Sequence, residues 1–245
     1  MAVGAGRVLR VALILEKSLG RPRQPRALPR PLDMLIATIL SQNTSDVNSH
    51  RAFTALTGRY GSWEEVADAP RSSIRSLIRV GGMANQKSRR IREVLRTIRA
   101  RYGRYSLESL RRKKDSDILT ELTDLNGVGV KTAACVLLFS LGRDRFPVDT
   151  HVHRICNRLG LVKNCPTPEK TFWAMQPNVP KGRGYSFHTN LIRFGRLVCR
   201  SASPACDRCP LYAECRWPGR KSRRRKSTGR SRENYTFMLL DNIPA

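Results

Sequence analysis

The chain has 245 residues, 40% of them hydrophobic, which is enough to bury a core in one large or two small domains. Its 46 lysines and arginines exceed its 19 acidic residues by 27, a surplus that favours a polyanionic partner, with nucleic acid as the default. No segment approaches the roughly eighteen continuous apolar residues of a membrane span, and the apolar run 11–15 is too short for a signal peptide, so we expect an intracellular protein that binds no membrane.

Apolar residues recur with helical spacing through most of the chain, and almost nothing alternates with the period of two that a strand requires. This pattern predicts an all-α fold of about ten helices. Prolines interrupt it between residues 20 and 31. Helices are expected over residues 7–19, 34–40, 87–101, 107–110, 115–124, about 131–141, 150–159 and 185–198. One more is expected to run through Leu56, and others are expected to begin near Ser62, Asp68 and Thr167.

Several polar residues are predicted to begin these helices. Asp33 precedes the strongly apolar stretch from Met34, where its carboxylate can cap the first turn. Ser62 and Glu65 have the spacing of a capping box. Thr167 stands directly before a proline, as at the start of a further helix.

A glycine turn between two predicted helices is the most informative stretch. It reads Leu-Asn-Gly-Val-Gly-Val-Lys-Thr-Ala over residues 125–133. Gly127 and Gly129 allow positive φ and close backbone approach, so that successive N–H groups, including that of Val128, can converge on a phosphate at a helix N-terminus. The spacing is not that of a nucleotide-binding P-loop. The alternative is a plain connection between two helices.

Lys131 lies on the first turn after those glycines, and Asp149 follows eighteen residues later. The amine is either one more phosphate contact or a nucleophile, made reactive by partial desolvation and the positive end of the helix. The carboxylate of Asp149 is either an N-cap or a catalytic group opposite a developing cation. A cap is held rigidly, which also suits catalysis.

Four of the seven cysteines, Cys199, Cys206, Cys209 and Cys215, fall within seventeen residues. Their spacing favours a metal site over a disulfide framework, and by chemistry alone it fits zinc or an iron–sulfur cluster. Cys135 and Cys156 lie in apolar helical patterns and are expected in the core. Residues 216–232 carry nine basic residues and no acid, which predicts a disordered arm for phosphates or a targeting signal.

Residues 125–133, the run Val-Asp-Thr-His at 148–151, Arg154 and the pair Asn-Arg at 157–158 resemble the endonuclease III family of helix-hairpin-helix DNA glycosylases. The resemblance runs from about residue 32 to residue 215. It implies a fold of two helical domains with the active cleft between them. A six-helix barrel would span 32–144, with the hairpin at about 115–141, and an iron–sulfur cluster domain would combine 1–31 with 145–217, followed by the basic tail 218–245.

The resemblance further implies a monomeric base-excision-repair enzyme acting on double-stranded DNA that contains damaged bases or abasic sites. In that family the lysine that Lys131 matches attacks C1′ of the damaged nucleotide, and the aspartate that Asp149 matches stabilises the sugar cation. The strand is then nicked by β-elimination. Oxidised pyrimidines are the expected substrates.

The remaining site residues also follow from the resemblance. The four clustered cysteines would hold a [4Fe–4S] cluster, with Arg200 and Arg208 directed toward the DNA backbone. Met83 would be a wedge in the base stack. Either Gln42 or Asn43 would fill the gap left by the flipped base, Asn43 standing where the family usually has glutamine.

Three alternatives remain. An adenine-mismatch glycosylase would need a glutamate where this chain has Ala37, and it usually lacks the lysine. A thymine- or uracil-mismatch glycosylase often replaces the lysine, although uracil is not thereby excluded as a substrate. A non-catalytic DNA-binding protein would use the hairpin and basic tail only, with no need for both Lys131 and Asp149.

Overall fold

The computed structural model describes residues 4–221. Within that range the regular elements are eleven α-helices and four short 3₁₀ turns, which confirms the all-α prediction. None of these helices is long and apolar enough to cross a membrane. The predicted basic arm lies outside the described residues from position 222 onward. The helices are α1 Ala5–Leu19, α2 Pro31–Leu40, α3 Asp46–Arg59, α4 Trp63–Asp68, α5 Arg71–Leu77, α6 Ala84–Tyr102, α7 Asp115–Thr123, α8 Val130–Phe139, α9 Thr150–Arg158, α10 Pro168–Met175 and α11 Gly184–Leu197.

The described residues divide into two compact units. We call residues 25–143, which contain α2 to α8, the hairpin unit. We call residues 4–24 together with 144–221 the cysteine unit.

Helix α2 forms the centre of the hairpin unit. Nine of its ten residues are buried, and it packs against α3, α6 and α8. The exception is Asp33, which was predicted to cap this helix and does not. The helix begins at Pro31, because proline's fixed φ suits a first helical turn. The Asp33 carboxylate instead accepts a hydrogen bond of 2.6 Å from the Trp63 indole, and burial raises its pKa above the ordinary value.

The other predicted caps are present. The Ser62 hydroxyl accepts a hydrogen bond from the Glu65 N–H, which confirms the predicted cap. The Glu65 carboxylate accepts from the Gly61 N–H, one residue before the N–H that a strict capping box uses. Thr167 caps α10 through the Lys170 N–H. Local spacing was sufficient to place both helix starts.

The cysteine unit is built on α11, which packs against α1 and α9. Glu16 of α1 accepts hydrogen bonds from Ser186 and Arg183, and Asn190 donates to the Gly20 carbonyl at the end of α1. After α11 the chain runs through residues 199–217 with a single 3₁₀ turn at Cys206–Arg208. We call this segment the cysteine segment; its backbone forms short hydrogen-bonded turns, such as that from the Tyr212 N–H to the Cys209 carbonyl, and arginine side chains bind several of its carbonyls.

Candidate nucleic-acid interface

The glycine turn joins α7 to α8, and the two helices pack against each other as a helical hairpin. Gly127 has φ +78°, in the left-handed region that glycine tolerates. Gly129 does not share this conformation: its φ is −92° and it is the N-cap of α8, so the prediction of positive φ was wrong for this residue. One left-handed residue is enough to reverse the chain here, and Gly129 keeps the extended backbone that is usual for an N-cap residue.

Backbone amides at the start of α8 face no acceptor in the described part of the chain: those of Gly127, Gly129 and Val130 make no hydrogen bond there. Such orphan N–H groups, together with the positive end of the helix dipole, form an anion site. Val128 contributes differently from the prediction. Its side chain is buried and its N–H donates to the Leu125 carbonyl, so it shapes the turn from within.

An arginine on α6 packs directly on this turn. A Cβ built on Gly127 would lie 1.7 Å from Nε of Arg90, so any larger residue at this position would force the guanidinium to shift. Arg90 also donates to the Gln42 side-chain oxygen at 2.5 Å, and the Gln42 amide donates to the Gly127 carbonyl at 3.4 Å. Both ends of the Gln42 side-chain amide are therefore engaged, the oxygen by Arg90 of α6 and the nitrogen by the hairpin.

Asn43 and Met83 form an exposed pair. Both have left-handed backbones, with φ of +52° and +50°, and the Asn43 amide nitrogen lies 3.4 Å from the Met83 sulfur. Met83 is 47% exposed, more than most large hydrophobic side chains. Left-handed conformations cost non-glycine residues about 1 kcal/mol or more and concentrate at functional sites. The structure thus brings together the two predicted loops, forty residues apart in sequence.

Lys131 and Asp149 lie on different units. Lys131 is half-buried on the first turn of α8, and among the described residues its amine has no hydrogen-bond or ion-pair partner. Asp149 is the N-cap of α9, and its Oδ1 accepts a 2.8 Å hydrogen bond from the Val152 N–H. The capping role is thereby present, and it uses one carboxylate oxygen.

The four clustered cysteines line one small apolar pocket in the cysteine unit. All are free thiols of intermediate exposure, and burial, together with the other three thiols, raises the pKa of Cys209 to about 12. Among residues 4–221 no three His, Cys, Asp or Glu side chains converge as ligands of a single metal ion. The predicted core cysteines Cys135 and Cys156 are buried, as expected.

Arginines surround that pocket. Arg158 donates to the carbonyls of Arg200 and Ser201 at 2.8 and 2.9 Å, and its guanidinium lies 4.0 Å from the Trp217 ring centre. Arg154 donates to the Cys199 carbonyl at 2.8 Å. The exposed Arg200 donates to the Ser203 carbonyl, which holds it within the segment.

Sequence reasoning missed Arg90 and Lys87. Arg90 is one of many arginines on a basic helix, and nothing local marks it as the partner of a glycine 37 positions away. Lys87 did carry a signal: it falls on the same helical stripe as Ile91, Val94 and Ile98, all buried. A lysine in register with a core stripe predicts a buried amine.

A family model described as HhH-GPD superfamily base excision DNA repair protein matches residues 36–181. Endonuclease III of Thermotoga maritima is 37% identical over 193 residues, which cover 79% of this chain and 86% of that protein. An Arabidopsis thaliana protein is also 37% identical, over 191 residues that cover 74% of this chain and 64% of its own length. The solved structure of a trapped endonuclease III–DNA covalent intermediate superposes with a TM-score of 0.75 at 26% identity, covering 87% of this chain and 96% of that one.

Proposed function

This chain belongs to the HhH-GPD superfamily of base excision DNA repair proteins and is a DNA glycosylase of that superfamily, and we propose that it is a bifunctional glycosylase and AP lyase. It removes oxidised pyrimidines from double-stranded DNA and then nicks the strand at the abasic site. It acts as a monomer. It acts inside the cell, in the nucleoid of a prokaryote or the nucleus of a eukaryote.

The observation that carries this proposal is the position of Lys131. Its unpartnered amine stands one residue after the orphan amides of Gly129 and Val130, at the positive end of α8. Amides that bind a backbone phosphate would therefore bring a nucleotide sugar close to a nucleophile. A purely DNA-binding hairpin has no need of that amine.

The chemistry proceeds in two stages, base release and strand cleavage. The Lys131 amine attacks C1′ and loses a proton, while the bond from C1′ to the base breaks and the base leaves with the electron pair and takes up a proton. The C1′–O4′ bond of the resulting N,O-acetal then breaks, a proton passes to O4′, and a Schiff base forms between Lys131 and C1′. Loss of a C2′ proton expels the 3′ phosphate, and water hydrolyses the imine to release the lysine. The carboxylate of Asp149 stabilises the cationic sugar and carries the proton, using the oxygen that does not cap α9.

The exposed pair gives each loop a role in base extrusion. Met83 is the wedge between base pairs, and Asn43 fills the gap left by the flipped nucleotide. Gln42 is assigned elsewhere, since its amide is already bound to Arg90 and Gly127. The exposure of Asn43 and Met83, and the engagement of Gln42, support these assignments.

We further propose that Cys199, Cys206, Cys209 and Cys215 hold a [4Fe–4S] cluster. The donor set fits: four thiols line one apolar pocket, and the nearby guanidiniums of Arg154 and Arg158 suit a thiolate-rich, anionic group. Bound there, the cluster would tie four points of the cysteine segment together, and it takes no part in the steps above.

Borohydride trapping tests the lyase step. Sodium borohydride reduces a Schiff base to a stable amine, so wild type incubated with thymine-glycol or abasic duplex should yield a covalent protein–DNA adduct. Lys131→Ala should yield none. Lys114→Ala, which removes an exposed lysine of the same unit, is the matched control and should trap as wild type does. Absence of the wild-type adduct would refute the lyase assignment.

Asp149→Asn separates catalysis from capping. Asparagine caps a helix about as well as aspartate, so thermal stability should be nearly unchanged. Loss of the carboxylate charge should slow base release by about 100-fold or more in single-turnover assays. Equal rates for the two proteins would leave Asp149 as a cap only.

A panel of duplexes carrying thymine glycol, 5-hydroxycytosine, uracil opposite guanine or a bare abasic site identifies the substrate. Faster excision of the oxidised pyrimidines than of uracil supports the proposal. Preference for uracil opposite guanine would replace it with the mismatch-glycosylase alternative.

A further inference from the structure

The amine of Lys87 is buried without a carboxylate. The residue is 1% exposed, and its Nζ donates to the carbonyl oxygens of Leu40 at 2.7 Å and Gly81 at 2.8 Å. No acidic partner accompanies it in the described part of the chain, and burial lowers its pKa to about 8. Burying an amine without a carboxylate costs free energy. The role of Lys87 is therefore sought in the two carbonyls that it joins.

Those carbonyls stand at the bases of the two loops that carry the exposed pair. Leu40 is the last residue of α2, directly before the loop of residues 41–45. Gly81 precedes Gly82 and Met83, which lead into α6. Lys87 thus connects the bases of both loops with one side chain.

The base at Gly81 has little freedom to shift. A Cβ built on Gly81 would lie 3.3 Å from the Ala52 side chain, so α3 packs closely against it. At the tips, Asn43 and Met83 keep left-handed backbones and contact each other. Strained residues of this kind persist only where their surroundings fix them.

We propose that Lys87 is a positioning residue that holds residues 41–45 and 82–83 as one rigid body, so that Asn43 and Met83 enter the base stack together. This rests on the proposed base-extrusion roles of Asn43 and Met83 and assigns Lys87 no contact with DNA. Without the clamp each loop moves alone, and insertion of one side chain no longer brings the other into place.

The test uses a duplex with a tetrahydrofuran abasic analogue opposite 2-aminopurine, whose fluorescence rises when the base is unstacked. Saturating wild-type protein should raise the fluorescence. Lys87→Met should reduce that rise by about fivefold or more, the effect of losing two hydrogen bonds from one charged group. DNA affinity should stay within about threefold, because the phosphate contacts remain. Lys114→Met, at an exposed lysine of the same unit, should match wild type.

A double-mutant cycle separates positioning from general damage. In the Asn43→Ala/Met83→Ala background, Lys87→Met should have no further effect on the fluorescence, since its action passes through those two side chains. An equal loss in both backgrounds overturns the proposal, as does a wild-type-like signal from Lys87→Met. If Lys87→Met does not fold, Lys87→Gln carries the same test, because its amide still reaches a carbonyl with one donor.

This readout involves no bond cleavage, so it stands apart from the test of the proposed function. Failure of borohydride trapping with an intact fluorescence response removes the lyase step and leaves the role of Lys87. Absence of a fluorescence rise with wild type removes the role of Lys87, whatever the trapping result.

Discussion

In the hairpin unit, a lysine amine holds two loops through main-chain carbonyls; in the cysteine unit, arginines hold the cysteine segment in the same way. Arg7 donates to the carbonyls of Leu159, Gly160 and Glu214, and Arg158 to those of Arg200 and Ser201. Most of these acceptors are carbonyls, although Arg7 also pairs with the Glu214 carboxylate at 3.4 Å. A cation bound to a carbonyl is not neutralised by an acidic partner, so these bonds leave the positive field that attracts a polyanion largely in place.

The two regions differ in how deeply these cationic side chains are buried. Lys87 is wholly covered, whereas Arg154 and Arg158 are partly exposed around a pocket of thiols. The loops of the hairpin unit are fixed by protein groups alone, so we expect them to keep their arrangement without any ligand. The cysteine segment lacks an inner support of that kind, and its stability should depend on what the thiols bind.

The largest expected effect comes from removing one thiol. Cys209→Ser should abolish iron binding and lower the free energy of unfolding by more than about 3 kcal/mol, because binding energy at a structural metal site is folding energy. Iron content and thermal unfolding measure both. Cys165→Ser, at a buried cysteine outside the pocket, should retain the iron. A Cys209→Ser protein with normal iron content would contradict the dependence on the thiols.

Alkaline pH should affect the hairpin unit through Lys87. Its folded-state pKa of about 8 lies below the unfolded value of 10.5, so the unfolded chain binds more protons between these values and stability rises with pH across that window. Relative to Lys87→Met, wild type should gain up to about 3 kcal/mol between pH 8 and pH 10.5. Urea unfolding of both proteins at several pH values gives the difference. A pH-independent difference would place the amine in water.

Arg158→Lys should weaken the cysteine segment moderately. An ammonium cannot donate to two carbonyls in the fork geometry of guanidinium or stack as well on Trp217, so the loss should be about 1–2 kcal/mol. Arg96→Lys, at an exposed position on α6, should change little. Thermal unfolding of the iron-loaded proteins measures the effect. Equal stabilities of wild type and Arg158→Lys would show that the paired guanidinium hydrogen bonds contribute nothing.

The smallest expected effect concerns two asparagines, one in each unit. Asn43 in the hairpin unit and Asn164 in the cysteine unit both have φ +52°. Replacing either asparagine with glycine relieves the same backbone strain. The free energy of unfolding should therefore change by the same amount in the two variants, a few tenths of a kcal/mol to about 1 kcal/mol. Asn43→Gly alone should diminish the 2-aminopurine response. A loss of that response with Asn164→Gly would mean that strain, rather than the Asn43 side chain, is what matters.

Local signals were enough to predict much of this molecule. Helical periodicity gave the fold class, and the caps at Ser62 and Thr167 were recognisable because both partners lie within three residues. The predicted cap at Asp33 was wrong for an equally local reason: α2 begins upstream of it, at Pro31, because proline suits the first turn of a helix. The roles of Lys131 and Asp149 stay predictions, for which the structure supplies an unpartnered amine and a partly used carboxylate.

What the sequence could not reveal depends on distant contacts. Whether Gln42 or Asn43 is exposed is decided by Arg90, 48 positions from Gln42. The partners of Lys87 are carbonyls, which every residue carries, so no pattern of side chains identifies them. The contact between Asn43 and Met83 likewise emerges only when α2 and α6 pack.

The fit of Arg90 over Gly127 has a consequence for how this protein can change over generations. Any side chain at position 127 would displace the guanidinium, and Gln42 would lose its partner as well. Residues 42, 90 and 127 thus depend on one another for their contacts, and a change at one of them alters the surroundings of the other two. Among related genes we expect these three positions to change together, so that a lineage without glycine at 127 also lacks the arginine.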